Sequence, residues 1–289
     1  MTFAELNDMT KFAPIGPAHL LRKIREQLGE HVLGDYHLVL AHDIVHNRKE
    51  WEGSKVLPRG STVIIDNSII ELGAPVEREM MEQAYGVLGD SYRRIIVLPD
   101  VFDDPLSTYE NSCAYLEQMH SSPLLERAEY MFVIQASRLA DYAEHSMKWR
   151  NLERMGVDWF SLPRRSTDRF GTRAFGLGHL LQFKTLRPDI KIHLLGFSNN
   201  VPDDLWCTRQ TFVEGIDSAV PLRMGQKGEI FNVAMRGDQA GPRGTFWEDP
   251  HTVVHHRTRE NLQLVRDTIK LPGRFPLNSY HPTLLPGAS

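Results

Sequence analysis

Several short apolar runs end in residues that can do chemistry. Asp66 closes Thr62-Val-Ile-Ile, Asp100 closes Arg94-Ile-Ile-Val-Leu-Pro, Gln135 closes Glu129-Tyr-Met-Phe-Val-Ile, and Asp217 lies within Gly215-Ile-Asp-Ser-Ala-Val220. His42 and Asp43 follow Tyr36-His-Leu-Val-Leu-Ala, Ser161 closes Val157-Asp-Trp-Phe, and Gly196 closes Lys191-Ile-His-Leu-Leu. Two carboxylates facing one bond are what glycosidic cleavage needs. One attacks or stabilises the anomeric carbon, and the other handles the proton on the leaving or entering group. A third carboxylate beside an amide suits one edge of a heterocycle, because the carboxylate accepts from N–H groups and the amide NH₂ donates to a carbonyl. A lone Asp after a strand is as readily a helix N-cap or a turn residue. Three Asp and a Gln at equivalent ends of different runs favour the functional reading.

The elements that position these residues alternate along the chain. Lys11 to Gly16 is a brief strand, and the runs beginning at Tyr36, Thr62, Arg94, Glu129, Val157, Lys191 and Gly215 supply seven more. Helical periodicity is expected over Pro17 to Leu28, Glu77 to Leu88, Leu106 to His120, Leu139 to Met155, Ala174 to Leu186 and Asp203 to Glu214. Near-continuous apolar strands alternating with helices indicate a parallel sheet, and eight of them favour a closed (β/α)8 TIM barrel. In that fold the strand ends above meet at one mouth. Beyond the eighth strand, Gly225 to Arg236 reads as a hairpin, Gly237 to Gly244 as a loop, and Arg257 to Ile269 as a helix closing the barrel. The tail from Leu271 is Pro-rich, and no linker divides the 289 residues, so one domain over 1–289 is expected.

Composition narrows the class. The chain is 41% hydrophobic and 24% charged, which excludes disordered and fibrous proteins. Two cysteines, Cys113 and Cys207, exclude a disulfide framework and a four-cysteine zinc site, and no metal or other cofactor is expected. There is no signal-peptide pattern and no apolar stretch of membrane-spanning length, so a cytoplasmic protein is expected. The net charge of -4 does not announce a nucleic-acid partner, which would then have to be met by a local basic face.

The late segments resemble the tRNA-guanine transglycosylases. Leu194-Leu-Gly-Phe-Ser, Val201-Pro-Asp-Asp-Leu205, Asp217-Ser-Ala-Val-Pro-Leu-Arg223 and Gly228-Glu-Ile-Phe231 are similar to that superfamily's Met-Gly-Val-Gly turn, Pro-Glu-Asp-Leu, nucleophile segment and Gly-x-x-Phe hairpin. The spacing from Asp217 to Pro221 and Arg223 is the most specific match. Ile65-Asp66-Asn-Ser resembles the Thr-Asp-Ser-Gly-Gly segment that carries the general acid/base. Pro99-Asp100 and Ile134-Gln135 stand where the base-recognising Asp and Gln do, and Lys11 to Gly16 resembles the first strand.

The resemblance implies base exchange, with Asp217 as the nucleophile at C1′ and Asp66 managing protons. Asp100 and Gln135 would hold the base edge, with Asn67, Ser68, Ser161, Leu195 and Gly196 completing the substrate site. The superfamily's tRNA-acting members carry a zinc subdomain with CxCxxC and a later His. Here His256 stands near that His without cysteines, and His251, His255 and His256 read as a solvated or hydrogen-bonding cluster. Asn67-Ser68-Ile69 replaces a Ser-Gly-Gly loop, and Phe160 to Arg165 replaces a Gly-rich segment.

A chain without the zinc part looks most like the phage branch that inserts 7-deazaguanines into DNA as protection from restriction. The implied partners are double-stranded DNA and a free 7-deazaguanine base, with tRNA as the alternative. Arg164, Arg165, Arg223 and Lys227 would contact phosphates, with Arg169, Arg173, Arg236 and Arg243 nearby, and a Phe or Trp would fill the gap left by an extruded base. A homodimer is compatible with the sequence and not specified by it. A non-catalytic nucleic-acid-binding subunit is disfavoured by retention of Asp66 and Asp217. An unrelated barrel enzyme such as an aldolase is disfavoured by the lack of a Schiff-base Lys or metal cluster at the strand ends. His42 and His46, four apart but at a strand end, are not expected to share a face.

Overall fold

The computed structural model describes residues 10–53, 55–119, 122, 128–237, 246 and 254–270. Eight parallel strands form one sheet in the order β1-β8-β7-β6-β5-β4-β3-β2, and the ends of that order, β1 and β2, lie side by side, so the sheet curls into a nearly closed (β/α)8 barrel. The strands are β1 (Lys11–Pro14), β2 (Tyr36–Leu40), β3 (Thr62–Asp66), β4 (Arg93–Val97), β5 (Glu129–Val133), β6 (Val157–Pro163), β7 (Lys191–Leu195) and β8 (Gly215–Ser218). No helix of the described residues is long and apolar enough to cross a membrane.

Strand periodicity of two divides the apolar residues between two cores. Leu38, Leu40, Ile64, Val97, Met131, Val133 and Trp159 point inward and fill the barrel. Their neighbours Val39, Val63, Ile65, Ile96, Phe132, Phe160 and Leu194 point outward and pack under the helices. Full burial on both faces explains why these strands read as continuous apolar runs.

The base of the barrel is closed by a charged cluster. Glu129 accepts hydrogen bonds from Arg93, from Lys191 Nζ at 2.8 Å and from Trp159 Nε1 at 2.7 Å. Burial by itself pushes the Glu129 carboxyl up, but the bonds from Arg93, Lys191 and Trp159 outweigh it and carry the group down to about 2. Because the folded value is depressed, this stabilisation is fully present above the ordinary value of 4.5 and is lost as pH falls toward about 2. Glu129→Gln is therefore expected to destabilise the fold by roughly 1–3 kcal/mol at neutral pH, after allowance for partial solvent screening. In denaturant titrations the difference from wild type should vanish at the acid end of that window.

Three boundaries differ from the sequence expectation. The helix expected over Leu139 to Met155 is two, Ala140–Glu144 and Ser146–Arg154, because Ser146 Oγ donates to the Ala143 carbonyl at the break. The helix expected to reach Glu214 is Val201–Thr208, and Thr10 Oγ1 takes up the Thr208 and Val213 carbonyls beyond it. The loop after β6 contains a short helix, Arg165–Phe170.

The expected hairpin from Gly225 to Arg236 does not form. Pro221 instead starts the helix Val220–Gln226, and residues 227–236 run as turns with a single bridge between Asn200 and Arg236. Gly225 is a close-approach residue, since a Cβ there would lie 2.6 Å from Thr258 Cα. Asn261 of the closing helix His256–Lys270 accepts from the Phe231 N–H and donates to the Pro221 and Glu229 carbonyls. It thereby satisfies backbone groups that a second strand would have paired. The closing helix matches its expected position. The Gly237 to Gly244 loop, beyond Gly237 itself, and the Pro-rich tail lie outside the described residues.

Candidate active site

A cavity of about 140 Å³ opens at the C-terminal ends of the strands. Asp66, Asp100, Gln135, Leu195, Gly196 and Asp217 line it, so six of the expected site residues converge there. Arg164, Arg165 and Arg223 stand at the same wall. Ile70, Glu71, Phe102, Phe197 and Val220 also line it and were not foreseen, because each lies beyond its strand, Ile70 and Glu71 in the short helix Ile69–Leu72, Val220 at the start of Val220–Gln226, and Phe102 and Phe197 in the connecting loops.

Asp217 is 2% exposed and held as a hydrogen-bond acceptor. The Gly196 N–H reaches both of its oxygens at 3.1 Å, and His193 Nε2 lies 2.8 Å from Oδ1. Gly196 has φ +73°, a left-handed conformation that a side chain would strain, and this turns its N–H toward the carboxylate. The loop is anchored from behind by Arg173. That guanidinium donates to the Leu195 and Gly196 carbonyls and pairs with Asp204 at 3.3 Å, both side chains being fully buried.

Arg173 is therefore structural and does not reach phosphate. Its charge is visible in the sequence, while its burial against Asp204 and the Leu195 and Gly196 carbonyls is not. Arg173→Met is expected to cost about 3–5 kcal/mol, because it strands the Asp204 carboxylate without its partner. Thermal unfolding should show the loss as a clear drop in Tm.

Asp66 sits among other carboxylates. Burial raises its carboxyl well above the ordinary 3.8, and the charges of Glu71, Asp100 and Asp217 add to that against a Ser68 N–H bond of 2.7 Å. Ser68 adopts φ 62°, ψ 18°, unusual for a non-glycine, which points its N–H at Asp66 Oδ1. Asn67 and Ser68 are buried and do not line the cavity, so both support the carboxylates. Asn67 Nδ2 donates to Asp100 Oδ1 at 2.8 Å, and Gln135 Nε2 donates to Asp100 Oδ2 at 2.6 Å. Burial raises the Asp100 carboxyl, and these two bonds pull it back. The pair presents adjacent acceptor and amide groups to whatever enters.

Ser161 is a correction. Its side chain is fully buried and donates to the Phe132 carbonyl at 3.2 Å, outside the cavity lining. Strand β6 runs on to Pro163, so the true strand end offers Pro163 and Arg164 instead. Lys227 is exposed on the turn after Val220–Gln226 and does not line the cavity. Arg165 lies 4.4 Å over the Phe102 ring, and both Arg165 and Arg169 pair with Asp103.

No family model and no curated protein matches the chain. What the residues can do is then decided by the site itself. Strand β2 ends at Leu40, so His42 and His46 fall on one helix, Ala41–His46, with ring centroids 6.1 Å apart, contrary to expectation. Among the described residues, the one group of metal-ligand type is Asp141, Glu144 and His145, away from the cavity, and Arg138 bonds both carboxylates. His255 and His256 lie ring to ring, with His255 Nδ1 accepting from the Arg257 N–H, and His251 lies outside the described residues.

Sequence reading missed His193, which lies beside Asp217, and Tyr36, which lies behind His193. Both point into the barrel below the C-terminal strand ends, Tyr36 from the first residue of β2 and His193 from the middle of β7. The signal was available in strand periodicity: in Lys191-Ile-His-Leu-Leu195, His193 shares a face with the cavity residue Leu195.

Proposed function

We propose that the protein is a guanine transglycosylase, exchanging guanine in DNA for a 7-deazaguanine. The observation that carries this reading is the convergence on one cavity of Asp217, held by the Gly196 N–H and His193, and Asp66, whose carboxyl burial raises, with Asp100 and Gln135 lining the same cavity. Asp217, ringed by hydrogen-bond donors, attacks C1′ of the nucleoside. The C1′–N9 bond breaks, its electron pair leaves with the base, and Asp66 supplies the proton that the departing guanine takes away. The incoming 7-deazaguanine gives its N9 proton to Asp66. Its N9 then attacks C1′, and the Asp217 carboxylate is released. Protons balance over the cycle, and two displacements retain the anomeric configuration.

Other features support the same chemistry. Asp100 and Gln135 offer acceptors and an amide to a purine-like edge, as a base-binding site requires. Ser68, where the transglycosylase pattern has glycine, keeps a glycine-like left-handed backbone. Arg164, Arg165 and Arg223 put positive charge at a mouth that also carries four carboxylates, which suits the phosphates flanking an extruded nucleotide. DNA is preferred to tRNA because the cysteines of the tRNA enzymes' zinc subdomain are missing, and a role in protection from restriction follows from that branch. Exchange of radiolabelled guanine into DNA and into tRNA, measured side by side, separates the two substrates. A protein that exchanged into tRNA alone would overturn the DNA assignment.

A further inference from the structure

His193 and Tyr36 form a buried line behind Asp217 that base exchange as described above does not use. Tyr36 Oη lies 2.8 Å from His193 Nδ1, and His193 Nε2 lies 2.8 Å from Asp217 Oδ1. The His193 side chain is fully buried and Tyr36 is 2% exposed; neither lines the cavity, so neither touches a ligand held there. Three contacts fix the Tyr36 ring: it stacks on Trp159 at 6.5 Å, sits 5.7 Å from the His193 ring, and crosses Gly215. A Cβ on Gly215 would stand 2.5 Å from Tyr36 Cε1, so this crossing requires glycine.

The geometry also selects a tautomer. Burial, followed by the charges of Asp217 and Glu214, holds the Tyr36 phenol well above its ordinary pKa, so it keeps its proton. The Asp217 carboxylate can only accept, which puts the imidazole proton on Nε2, and in the neutral ring Nδ1 is then the acceptor for the Tyr36 O–H. Oδ1 thus takes the His193 bond and shares the Gly196 N–H, while Oδ2 has only that shared N–H.

We infer that His193, locked by Tyr36, is a positioning residue that ties up Asp217 Oδ1 and presents Oδ2 as the attacking oxygen. The inference rests on Asp217 being the nucleophile of base exchange. It assigns a role to a dyad that touches no substrate, by the same logic that makes an orienting partner of a reactive group worth 10- to 100-fold.

The test uses the full chain, a duplex oligonucleotide and a labelled 7-deazaguanine, with the first displacement followed in single turnover. His193→Leu should slow that step about 10- to 100-fold with little change in KM, and His193→Gln, which keeps an N–H donor, should recover part of the loss. Tyr36→Phe should give a smaller loss. It should also remove the single Nε2–H tautomer that side-chain nitrogen NMR detects for His193 in the wild type. That spectrum tests the arrangement even if His193→Leu fails to fold. Wild-type activity with an undiminished, folded His193→Leu would overturn the dyad alone, as would mixed tautomers in the wild type. A wild type that exchanges no base on any nucleic acid would instead overturn base exchange itself.

Discussion

Asp217→Asn is expected to abolish base exchange while leaving the protein folded. The amide keeps the size of the side chain, and its oxygen still accepts from the Gly196 N–H and from His193. It has no carboxylate to form the bond to C1′. Loss of a covalent nucleophile in a preorganised site costs at least about 10³-fold in turnover. Mass spectrometry of intact protein after exposure to a duplex should show a glycosyl adduct on wild type and none on the variant. An Asp217→Asn protein that still exchanged bases at an appreciable rate would move the chemistry elsewhere.

Asp66→Asn should lower exchange by about 10²- to 10⁴-fold, the usual worth of a general acid/base, and at the same time make the fold more stable at neutral pH. The second effect follows from linkage. The Asp66 carboxyl titrates well above 3.8 in the folded protein and near its ordinary value in the unfolded chain. Between those values the native state holds a proton that the unfolded state has released. Its contribution to stability is therefore present below 3.8 and is lost as pH rises through the raised value. Replacing the group by a neutral amide removes that loss. Urea titrations should show the variant above wild type near pH 7 and converging with it as pH falls below the ordinary carboxylate value. The same group predicts that single-turnover base expulsion by wild type falls as pH rises through the raised Asp66 pKa, where the acid form disappears.

Much of this was legible in the sequence, for identifiable reasons. Strands buried on both faces announce themselves as apolar runs, and a parallel barrel puts their last residues at one mouth, so Asp66, Asp100, Gln135, Gly196 and Asp217 could be placed together in advance. Ser161 was misplaced because β6 continues to Pro163, and an apolar run interrupted by a serine does not show where the ladder stops. Asn67 and Ser68 were drawn in as binding residues, but their bonds go to Asp100 and Asp66. Arg173 stands among the phosphate-contact candidates near the mouth because sequence shows a charge and not the buried Asp204 that balances it. The hairpin failed for a related reason. Asn261, thirty residues downstream of Phe231, supplies the backbone partners locally expected from a second strand. Long-range polar contacts of this kind leave no periodic trace.

The -4 net charge takes on meaning at the mouth. Arg164, Arg165 and Arg223 are gathered there, yet Asp66, Glu71, Asp100 and Asp217 share the same wall. Binding of a polyanion is thus expected to be local and salt-sensitive, governed by a few phosphate contacts and not by a broad basic face.

Base exchange itself is tested most directly by incubating the wild-type protein with duplex DNA and a labelled 7-deazaguanine base, then digesting the DNA and weighing its nucleosides. Labelled 7-deaza-deoxyguanosine, appearing with release of an equal amount of guanine and absent with Asp217→Asn, is the predicted result. Unmodified nucleosides from the wild-type reaction with every 7-deazaguanine offered, or modification that persists without Asp217, would contradict it.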